Sequence, residues 1–433
     1  MYSIAIMDHQ LIANRIYGGG FINAQTILPL FSSKYSSIYF PKSDTYFDIK
    51  KYPELLDNIE KIEDYGLTVS KTFKKLWIYG KPRSFRTYRR ELLKGYIAEI
   101  SGVDFVYDND FYATLNRPPI FNPDILEICR IVKETRFGIA LRGYSLVNNL
   151  NNIGLIKLIL RNEPRSLLDV ETLKRYISFL VHPLLDKYIN GKISRCNNLQ
   201  FIAVVNRLLA TQNSSMSKDK NKFRFLFPSD VSQFKWGKGS IPPKGKRGIF
   251  LYSRLVPEKG IFEIPKILME VRRLGHDVFL NVAGKFMYNK DEQTFHKLLI
   301  KYGVKEYVNV LGYLDEDALQ EALSYSKVLM YPSHSDSFSI SILNSIHLRT
   351  KVVSYDLPTL KDIYGDVPPV VFVKEYDTKA MALAISKILS ESESSYFDTF
   401  NNQRTSEFFE ITGSKEKLFC AVSELIDEAL LQP

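Results

Sequence analysis

The sequence predicts an α/β protein with two domains, each built around a parallel sheet. From Gly248 onward, short apolar runs alternate regularly with amphipathic stretches of about 10–15 residues, the pattern of successive βα units. The apolar runs are hydrophobic throughout, as in parallel strands that helices cover on both faces. The 433 residues also exceed what one ordinary core accommodates.

The N-terminal half shows the same pattern less regularly. Three glycines, Gly18–Gly20, follow the first strand and precede a helical run, Phe21–Phe31. This order is typical of nucleotide-binding α/β units, but the GxGxxG fingerprint is absent and a plain tight turn is an equal alternative. The pattern is helical from Leu146 to Asn190. The predicted strands are Tyr2–Met7, Asp104–Tyr107, Phe137–Leu141 and Leu199–Val205.

The second half contains more regular elements. Its predicted strands are Gly248–Ser253, Asp277–Ala283, Val308–Leu311, Lys327–Met330, Val352–Tyr355 and Val370–Val373. Its predicted helices are Ile261–Leu274, Asp291–Tyr302, Asp315–Ser324, Ser339–Leu348, Thr378–Leu389 and Glu416–Leu431.

A Gly-, Pro- and Lys-rich stretch, Trp236–Arg247, separates the two halves and is the predicted linker. We therefore expect an N-terminal domain at 1–240 and a C-terminal domain at 241–395. Residues 396–433 should form a helical segment that packs back toward the N-terminal domain.

Composition limits the function classes. A net charge of +10 favours an anionic partner, although an ordinary solvated surface explains it as well. The three cysteines, Cys129, Cys196 and Cys420, have no metal-binding spacing and indicate a reducing compartment. No signal peptide or membrane span is recognisable, so we expect a cytoplasmic protein.

Basic and aromatic residues alternate along Lys71–Lys94. Such a stretch suits an anionic acceptor or the surface of an anionic membrane, which would make the protein peripheral to it. The alternative is a solvated helix face with its aromatic rings turned into the core. Nucleic acid is disfavoured as a partner, because no helix-turn-helix, zinc-finger or RNP signature accompanies the charge.

Polar residues follow three of the predicted strands. Arg254 comes directly after one strand and Lys259 stands at the mouth of the next helix, where two cations can hold a diphosphate. A serine-rich turn, Ser333–Ser339, opens another helix, whose macrodipole favours a phosphate or a sugar hydroxyl. Asp108, Asn109 and Asp110 follow the strand that ends at Tyr107, the edge where ligands collect in open α/β sheets.

Four segments carry a family resemblance. Ser253–Gly260 (SRLVPEKG) resembles the (G/S)RLxxEKG turn of the retaining family 4 glycosyltransferases. Gly284-Lys285 resembles their second turn, and Leu311–Leu314 the turn near the donor's base. Tyr331–Asp356 resembles the segment written PSxxEGFGxxxxEAMxxGxPVVxxD. The resemblance spans residues 248–390; over 1–240 it rests on three short segments, Gly18–Gly20, Asp104–Asp110 and Phe227–Asp230.

This resemblance implies a GT-B fold, in which two Rossmann-like parallel-sheet domains face each other across a cleft. It implies catalytic roles for Arg254 and Lys259, which match the pair that holds the donor diphosphate, and for Asp336, which matches the first Glu of the paired-glutamate motif. The residues that it implies for donor binding are Gly19, Gly20, Gly284, Lys285, Gly312, Tyr313, Leu314, Ser337, Phe338, Ser339, Ile340 and Asn344. The N-terminal glycines match a loop that closes over the donor.

The chain departs from the family pattern at several positions. The usual E-x7-E is Asp336-x7-Asn344, and the two glycines around the phenylalanine are Ser337 and Ser339. The Gly-x-Pro is Arg349–Lys351. Asn in place of Glu should weaken a ribose contact by about 1–2 kcal/mol, the increment of a charge-assisted hydrogen bond. The family's N-terminal His has no clear match, which leaves Asp108, Asn109 and Asp110 as candidates on the acceptor side.

The function implied is transfer of a sugar from a nucleoside-diphosphate sugar to an acceptor hydroxyl on a glycan, lipid or protein, with retention. No metal and no cofactor is expected, because Arg254 and Lys259 supply the positive charge. His334 and His347 are expected to be ordinary loop and helix residues. The alternatives are a catalytically degenerate sugar-nucleotide-binding scaffold and a nucleic-acid-binding protein.

Overall fold

A computed structural model describes residues 1–8, 19–42, 54–78, 85–111, 125–141, 152–162, 191–208, 222–234 and 245–432. The chain forms two compact units, each with its own hydrophobic core. The N-terminal unit comprises Met1–Asn148, Leu180–Val231 and Ser414–Pro433, and the C-terminal unit comprises Asn149–Phe179 and Ser232–Gly413. The predicted linker lies largely outside the described residues.

The N-terminal unit contains a parallel sheet in the order β3-β2-β1-β4-β5-β6-β7. Its strands are β1 (Ser3–Asp8), β2 (Ser36–Pro41), β3 (Thr68–Val69), β4 (Phe105–Phe111), β5 (Arg136–Leu141), β6 (Leu199–Val204) and β7 (Phe223–Phe225). Its helices in the first half of the chain are α1 (Gly19–Phe31), α2 (Glu54–Asp64), α3 (Lys71–Ile78), α4 (Phe85–Ile100) and α5 (Ile125–Ile131). The strand order reverses between β1 and β4, and such a switch point opens a crevice at the carboxyl edge of a doubly wound sheet.

The C-terminal unit contains a second parallel sheet in the order β10-β9-β8-β11-β12-β13. Its strands are β8 (Ile249–Tyr252), β9 (Leu280–Ala283), β10 (Val308–Gly312), β11 (Val328–Tyr331), β12 (Lys351–Tyr355) and β13 (Val370–Val373). Helices α7 (Ile264–Arg273), α8 (Asn289–Lys301), α9 (Glu316–Tyr325), α10 (Ile340–His347), α11 (Pro358–Tyr364), α12 (Thr378–Ser390), α13 (Glu393–Asp398) and α14 (Gln403–Thr412) follow in chain order. The switch point lies between β8 and β11.

Burial explains why these strands read as continuous apolar runs. All residues of β11 and β12 are buried, so each strand places side chains against helices on both faces. The edge strand β10 is the exception, since its three central residues are exposed. β9 begins at Leu280 rather than at Asp277, because Asp277 pairs with Arg272 at 2.9 Å and the Phe279 side chain is exposed.

Two helices pack on a core distant from them in the sequence. Helix α15 (Lys415–Leu431) packs on α1 and on β4–β6, with Leu418, Val422 and Ile426 buried in the N-terminal core. Helix α6 (Asn152–Asn162) belongs to the C-terminal unit, where it buries Leu155 and Ile159.

Because α15 packs on the N-terminal core and α6 on the C-terminal core, the two units do not coincide with the predicted intervals 1–240, 241–395 and 396–433. The boundaries lie at 231/232 and 413/414, with 149–179 as a further segment of the C-terminal unit. None of the described helices is long and apolar enough to span a membrane.

Candidate functional site

The turn after β8 brings Arg254 and Lys259 to the switch point of the C-terminal sheet. Arg254 is exposed, and a single turn of 3-10 helix, Pro257–Lys259, leads to Gly260 at φ 73°. A Cβ on Gly260 would lie 2.0 Å from the carbonyl oxygen of Pro332. Glycine is therefore required here, because only it lets this turn pack against the end of β11.

Lys259 is buried and ion-paired rather than a surface cation. Its Nζ lies 2.6 Å from Oδ2 of Asp336, and it donates a 2.9 Å hydrogen bond to the carbonyl of Ser335. The Tyr331 hydroxyl also donates a short hydrogen bond to Oδ2 of Asp336. Two of the three predicted catalytic residues are thus in direct contact.

A second glycine joins the turns after β8, β9 and β10. Gly284 has φ 134°, and a Cβ there would lie 1.9 Å from the carbonyl oxygen of Ser253. Its N–H donates to the carbonyl of Gly312 at 2.6 Å. The neighbouring candidates Lys285 and Tyr313 are exposed, and Leu314 is half-buried. These turns therefore present a positive charge and an aromatic ring at the same edge of the sheet.

The fourth turn ends in the N-terminus of α10. Ser339 adopts φ 66° and ψ 92°, a conformation that favours glycine, and its Oγ caps the helix by accepting from the N–H of Ile342. The Tyr364 hydroxyl donates to the Ser339 carbonyl at 3.1 Å, and the Phe338 ring packs beside the Tyr364 ring. Ser337 and Ile340 are half-buried on either side. The backbone thus keeps the shape that glycine adopts more easily.

A similar substitution occurs at the other end of α10. Arg349 stands where the family pattern has glycine, and it adopts φ 58°. Its guanidinium donates to the carbonyl of Phe400 at 2.7 Å and stacks on the ring of Phe409. Burial lowers the pKa of Arg349.

Asn344 lies inside the unit, with its side-chain oxygen already hydrogen-bonded. Oδ1 accepts from Ser232 Oγ at 3.0 Å and from the N–H of Gln233 at 3.4 Å. Only 1% of Asn344 is exposed. A ribose contact through Oδ1 would require these bonds to be exchanged.

His334 is the residue whose environment the sequence did not predict. Its side chain lies between two carboxylates, with Nε2 2.5 Å from Glu263 and Nδ1 2.8 Å from Glu375. Burial lowers the pKa of His334, but the two carboxylates outweigh burial and raise it to about 9. His347, in contrast, has the expected setting, with a hydrogen bond to Thr412. No local signal could reveal the cluster, because its three members are far apart in the chain.

The acceptor-side candidates lie within β4 and not after it. Asp108 is buried, and its Oδ1 is 2.5 Å from Nζ of Lys42. Asn109 is also buried and donates to Oδ2 of Asp8 at 3.1 Å. The side chain of Asp110 lies outside the described part of the chain. The described groups lie at the switch point of the N-terminal sheet and hold one another in place.

The N-terminal glycine candidates open a helix. Gly19 and Gly20 are the first residues of α1, so this helix begins before the predicted Phe21. Residues 9–18 lie outside the described part of the chain, and the closing loop stays a prediction.

The basic stretch Lys71–Lys94 is divided between α3 and α4. Phe73 and Tyr88 are buried, while the cations at 71, 75, 90 and 94 are exposed. Arg89 pairs with Glu127 at 2.5 Å. In the described residues the two buried aromatic rings thus face the core and the cations face solvent. This arrangement agrees with the alternative interpretation, a solvated helix face with its aromatic rings turned into the core.

Within the described residues, no three His, Cys, Asp or Glu side chains are arranged to ligate a metal ion.

Comparison with known families places sequence similarity in the C-terminal unit. The family model described as glycosyl transferases group 1 matches residues 233–400. The uncharacterized glycosyltransferase YqgM of Bacillus subtilis (strain 168) is 28% identical over 133 residues, 30% of this chain and 36% of that protein. Alpha-D-kanosaminyltransferase of Streptomyces kanamyceticus is 25% identical over 148 residues, 34% of this chain and 38% of that protein. The chain therefore matches little more than a third of either relative's length.

Comparison with solved structures covers both units. The crystal structure of Anabaena Alr3699/HepE in complex with UDP and glucose superposes with a TM-score of 0.66, covering 99% of this chain and 100% of that one at 10% identity. At this identity the likeness shows the fold. The predicted fold class, GT-B with two parallel-sheet Rossmann-like domains, is confirmed, and the matched segment 233–400 contains Arg254, Lys259, Asp336 and Asn344.

Proposed function

We propose that this protein is a glycosyltransferase that moves a sugar from a nucleoside-diphosphate sugar to an acceptor hydroxyl. The observation that carries the proposal is the buried contact between Lys259 and Asp336 at 2.6 Å, at the switch point of a sheet whose sequence matches group 1 glycosyltransferases. Such an edge is where doubly wound sheets bind nucleotides. The UDP complex of the Anabaena protein with the same fold supports a nucleotide-sugar donor.

The reaction that we infer depends on charge developing at the donor. As the bond between the sugar and the β-phosphate breaks, negative charge grows on the phosphate oxygen. Lys259 and the N–H groups at the start of α10 are fixed in advance to stabilise that charge, and Arg254 adds a second cation on the same turn, so this mechanism needs no divalent cation. The acceptor hydroxyl then attacks on the face that the phosphate leaves, its proton passes to the departing phosphate oxygen, and the configuration is retained.

Asp336 and Lys259 exchange partners in this mechanism. Without donor, each neutralises the other in a nearly dry environment. A diphosphate provides Lys259 with a stronger anionic partner, since charge-assisted contacts with phosphate are short and strong. Asp336 is then available to accept a hydroxyl of the donor sugar. Until the donor arrives, Lys259 therefore stays protonated, and its charge is compensated by Asp336.

The remaining assignments extend the proposal. Asp108, Asn109 and Asp110 are candidates for the acceptor side of the N-terminal unit. The exposed cations of Lys71–Lys94 support peripheral contact of a cytoplasmic protein with an anionic membrane. Charge reversal of Arg90 and Lys94 should weaken binding to phosphatidylglycerol vesicles without affecting nucleotide affinity.

A second candidate function is a sugar-nucleotide-binding scaffold without turnover. The departures from the family pattern favour it, with Asn344 in place of the second glutamate and Ser337 and Ser339 in place of the two glycines. Binding and turnover therefore have to be measured separately.

A thermal-shift screen of UDP, GDP, ADP and dTDP, followed by hydrolysis and transfer assays with the matching nucleotide-sugars, tests both functions. Stabilisation by one nucleotide together with sugar release supports the transferase. Stabilisation without release from any matching donor supports the scaffold, and no stabilisation by any of the four rejects both.

A further inference from the structure

A largely buried cluster of charged side chains lies directly beside the Lys259–Asp336 pair. It consists of His334, Glu263 and Glu375, of which His334 is 1% and Glu263 6% exposed. The imidazole approaches Glu263 at 2.5 Å and Glu375 at 2.8 Å through its two ring nitrogens. We call these three residues the His334 cluster.

The cluster connects the segments that follow four strands of the C-terminal sheet. Glu263 is the N-cap of α7, just after the Lys259–Gly260 turn, and Glu375 follows β13. The N–H of His334 donates to the carbonyl of Glu258 at 2.9 Å. The Tyr355 hydroxyl, at the end of β12, donates to Glu263 at 3.0 Å. The imidazole thus joins Glu263 to Glu375, and the backbone of His334 and the Tyr355 hydroxyl extend this network to the ends of β8, β11, β12 and β13.

With both carboxylates ionised, the geometry favours a doubly protonated ring. A neutral imidazole has one N–H and can donate to one carboxylate only, whereas both nitrogens of His334 face a carboxylate oxygen. Loss of one proton would place a nitrogen lone pair against an anion. The raised pKa of His334 agrees with this protonation state.

The cluster reaches the donor turn through two peptide units. Ser335 follows His334 directly, and its carbonyl accepts from Nζ of Lys259 at 2.9 Å. Asp336 is the next residue and pairs with the same Nζ. A shift of the His334 backbone must therefore change where both oxygens stand.

We propose that His334, held between Glu263 and Glu375, is a positioning residue that sets the Lys259–Asp336 contact and thereby the affinity for the donor diphosphate. This inference rests on the proposed function. His334 and Glu263 are buried, and the Glu375 side chain is 23% exposed. Ionised groups in an interior often stabilise a fold no better than apolar side chains of the same volume. What the charged cluster provides, and an apolar cluster would not, is a fixed geometry of the Lys259–Asp336 turn.

The other ionisable groups that face the cluster come from several elements. Tyr376 stacks on the imidazole at 4.3 Å, and Tyr355 packs against it at 5.3 Å. Asp356 accepts from the N–H of Glu375 at 2.9 Å. Burial raises the pKa of both tyrosines above its ordinary value, so they stay neutral while His334 titrates.

The test measures nucleotide affinity against pH in the full-length protein. Wild type, His334→Gln, Glu375→Gln and the control His347→Gln are titrated by calorimetry between pH 7 and 10. The probe is whichever of UDP, GDP, ADP and dTDP binds wild type most tightly. His347 is a matched control, because it is a buried histidine of the same segment that hydrogen-bonds to Thr412. The histidine Cε1–Hε1 resonances are followed by NMR in parallel.

We expect wild-type affinity to be constant to about pH 8 and to fall at least tenfold as the pH passes the titration of His334. His334→Gln should bind at least tenfold more weakly at pH 7 and show no such transition. Glu375→Gln, which still accepts a hydrogen bond but lacks the charge, should keep the affinity at pH 7 and move the transition at least one pH unit lower. His347→Gln should behave as wild type does.

A merely structural role would lower the melting temperature of His334→Gln and leave the pH profile of the folded protein unchanged. That result overturns the inference, as does a His334 resonance that titrates near 6.5. If wild type binds none of the four nucleotides, the proposed function fails, and the inference fails with it. If wild type binds and the His334 and Glu375 variants keep its profile, the inference alone fails.

Discussion

Replacement of Lys259 should separate the stability of the site from its chemistry. The Lys259 side chain is 9% exposed and that of its partner Asp336 is 12% exposed, so neither charge is well solvated. Lys259→Met leaves the carboxylate without its cation, although Tyr331 still donates to it. Breaking a buried pair in this way costs about 3–5 kcal/mol, and the remaining donor favours the lower end. For a unit of this size the melting temperature should fall by about 6–12 °C.

Turnover should fall for a different reason. Removing one fixed donor from a developing oxyanion costs about a hundredfold or more in rate. Arg254→Ala is the matched control, because Arg254 is an exposed cation of the same turn. We expect it to lose turnover to a similar degree while its stability changes by less than about 0.5 kcal/mol. Melting followed by circular dichroism, and donor hydrolysis, measure the two effects.

The double variant Lys259→Met/Asp336→Asn identifies the cause of the lost stability. The double variant has no uncompensated carboxylate charge. It should therefore recover most of the decrease in melting temperature that Lys259→Met causes, while turnover stays low. If the double variant melts no higher than Lys259→Met, the uncompensated charge is not the cause. Near wild-type turnover in both Lys259→Met and Arg254→Ala would refute the role of these cations at the diphosphate.

Three further predictions concern backbone shape and protonation. Ser339→Gly should raise the free energy of unfolding by about 1 kcal/mol by relieving the positive φ, whereas Ser339→Ala keeps that strain, loses the cap and should lower it by about 1 kcal/mol in denaturant melts. Gly284→Ala should abolish the thermal shift given by the nucleotide, because the methyl group collides with the Ser253 carbonyl, whereas Gly303→Ala, at φ 65° in open space, should keep it. The pKa of His334 is raised from 6.5 to about 9, so protonation of this residue adds about 3 kcal/mol to the free energy of unfolding. This contribution is fully present below pH 6.5 and is lost as the pH rises through about 9. The difference in unfolding free energy between wild type and His334→Gln should therefore shrink across that window; a constant difference would contradict the charged state.

The strands and helices of the C-terminal unit were predictable because each is encoded by a short, continuous stretch of the sequence. Strands β11 and β12 are fully buried runs, and helices follow the strands of the sheet in regular alternation along the chain. Arg254 and Lys259 were identified because they stand at fixed positions in one short turn. The positions of such residues follow from the βα repeat and need no knowledge of distant partners.

The remaining features depend on contacts between distant parts of the chain. Lys42, which directly follows β2, neutralises Asp108 of β4, and nothing near either residue in the sequence indicates the pair. Ser339 occupies a glycine conformation because the surrounding turn imposes it. The His334 cluster combines residues from three turns. Periodicity and motif spacing describe neighbours along the chain and therefore miss all three.

The place of α15 has a consequence for folding during synthesis. Leu418, Val422 and Ile426 complete a core whose other members come from the first half of the chain. At roughly 5–20 residues per second, the ribosome needs about 10 to 40 s to make residues 232–413 before this helix exists. During that interval one face of the N-terminal sheet exposes apolar surface that a chaperone could bind. A fragment that stops before Lys415 should for the same reason be poorly soluble when it is expressed alone.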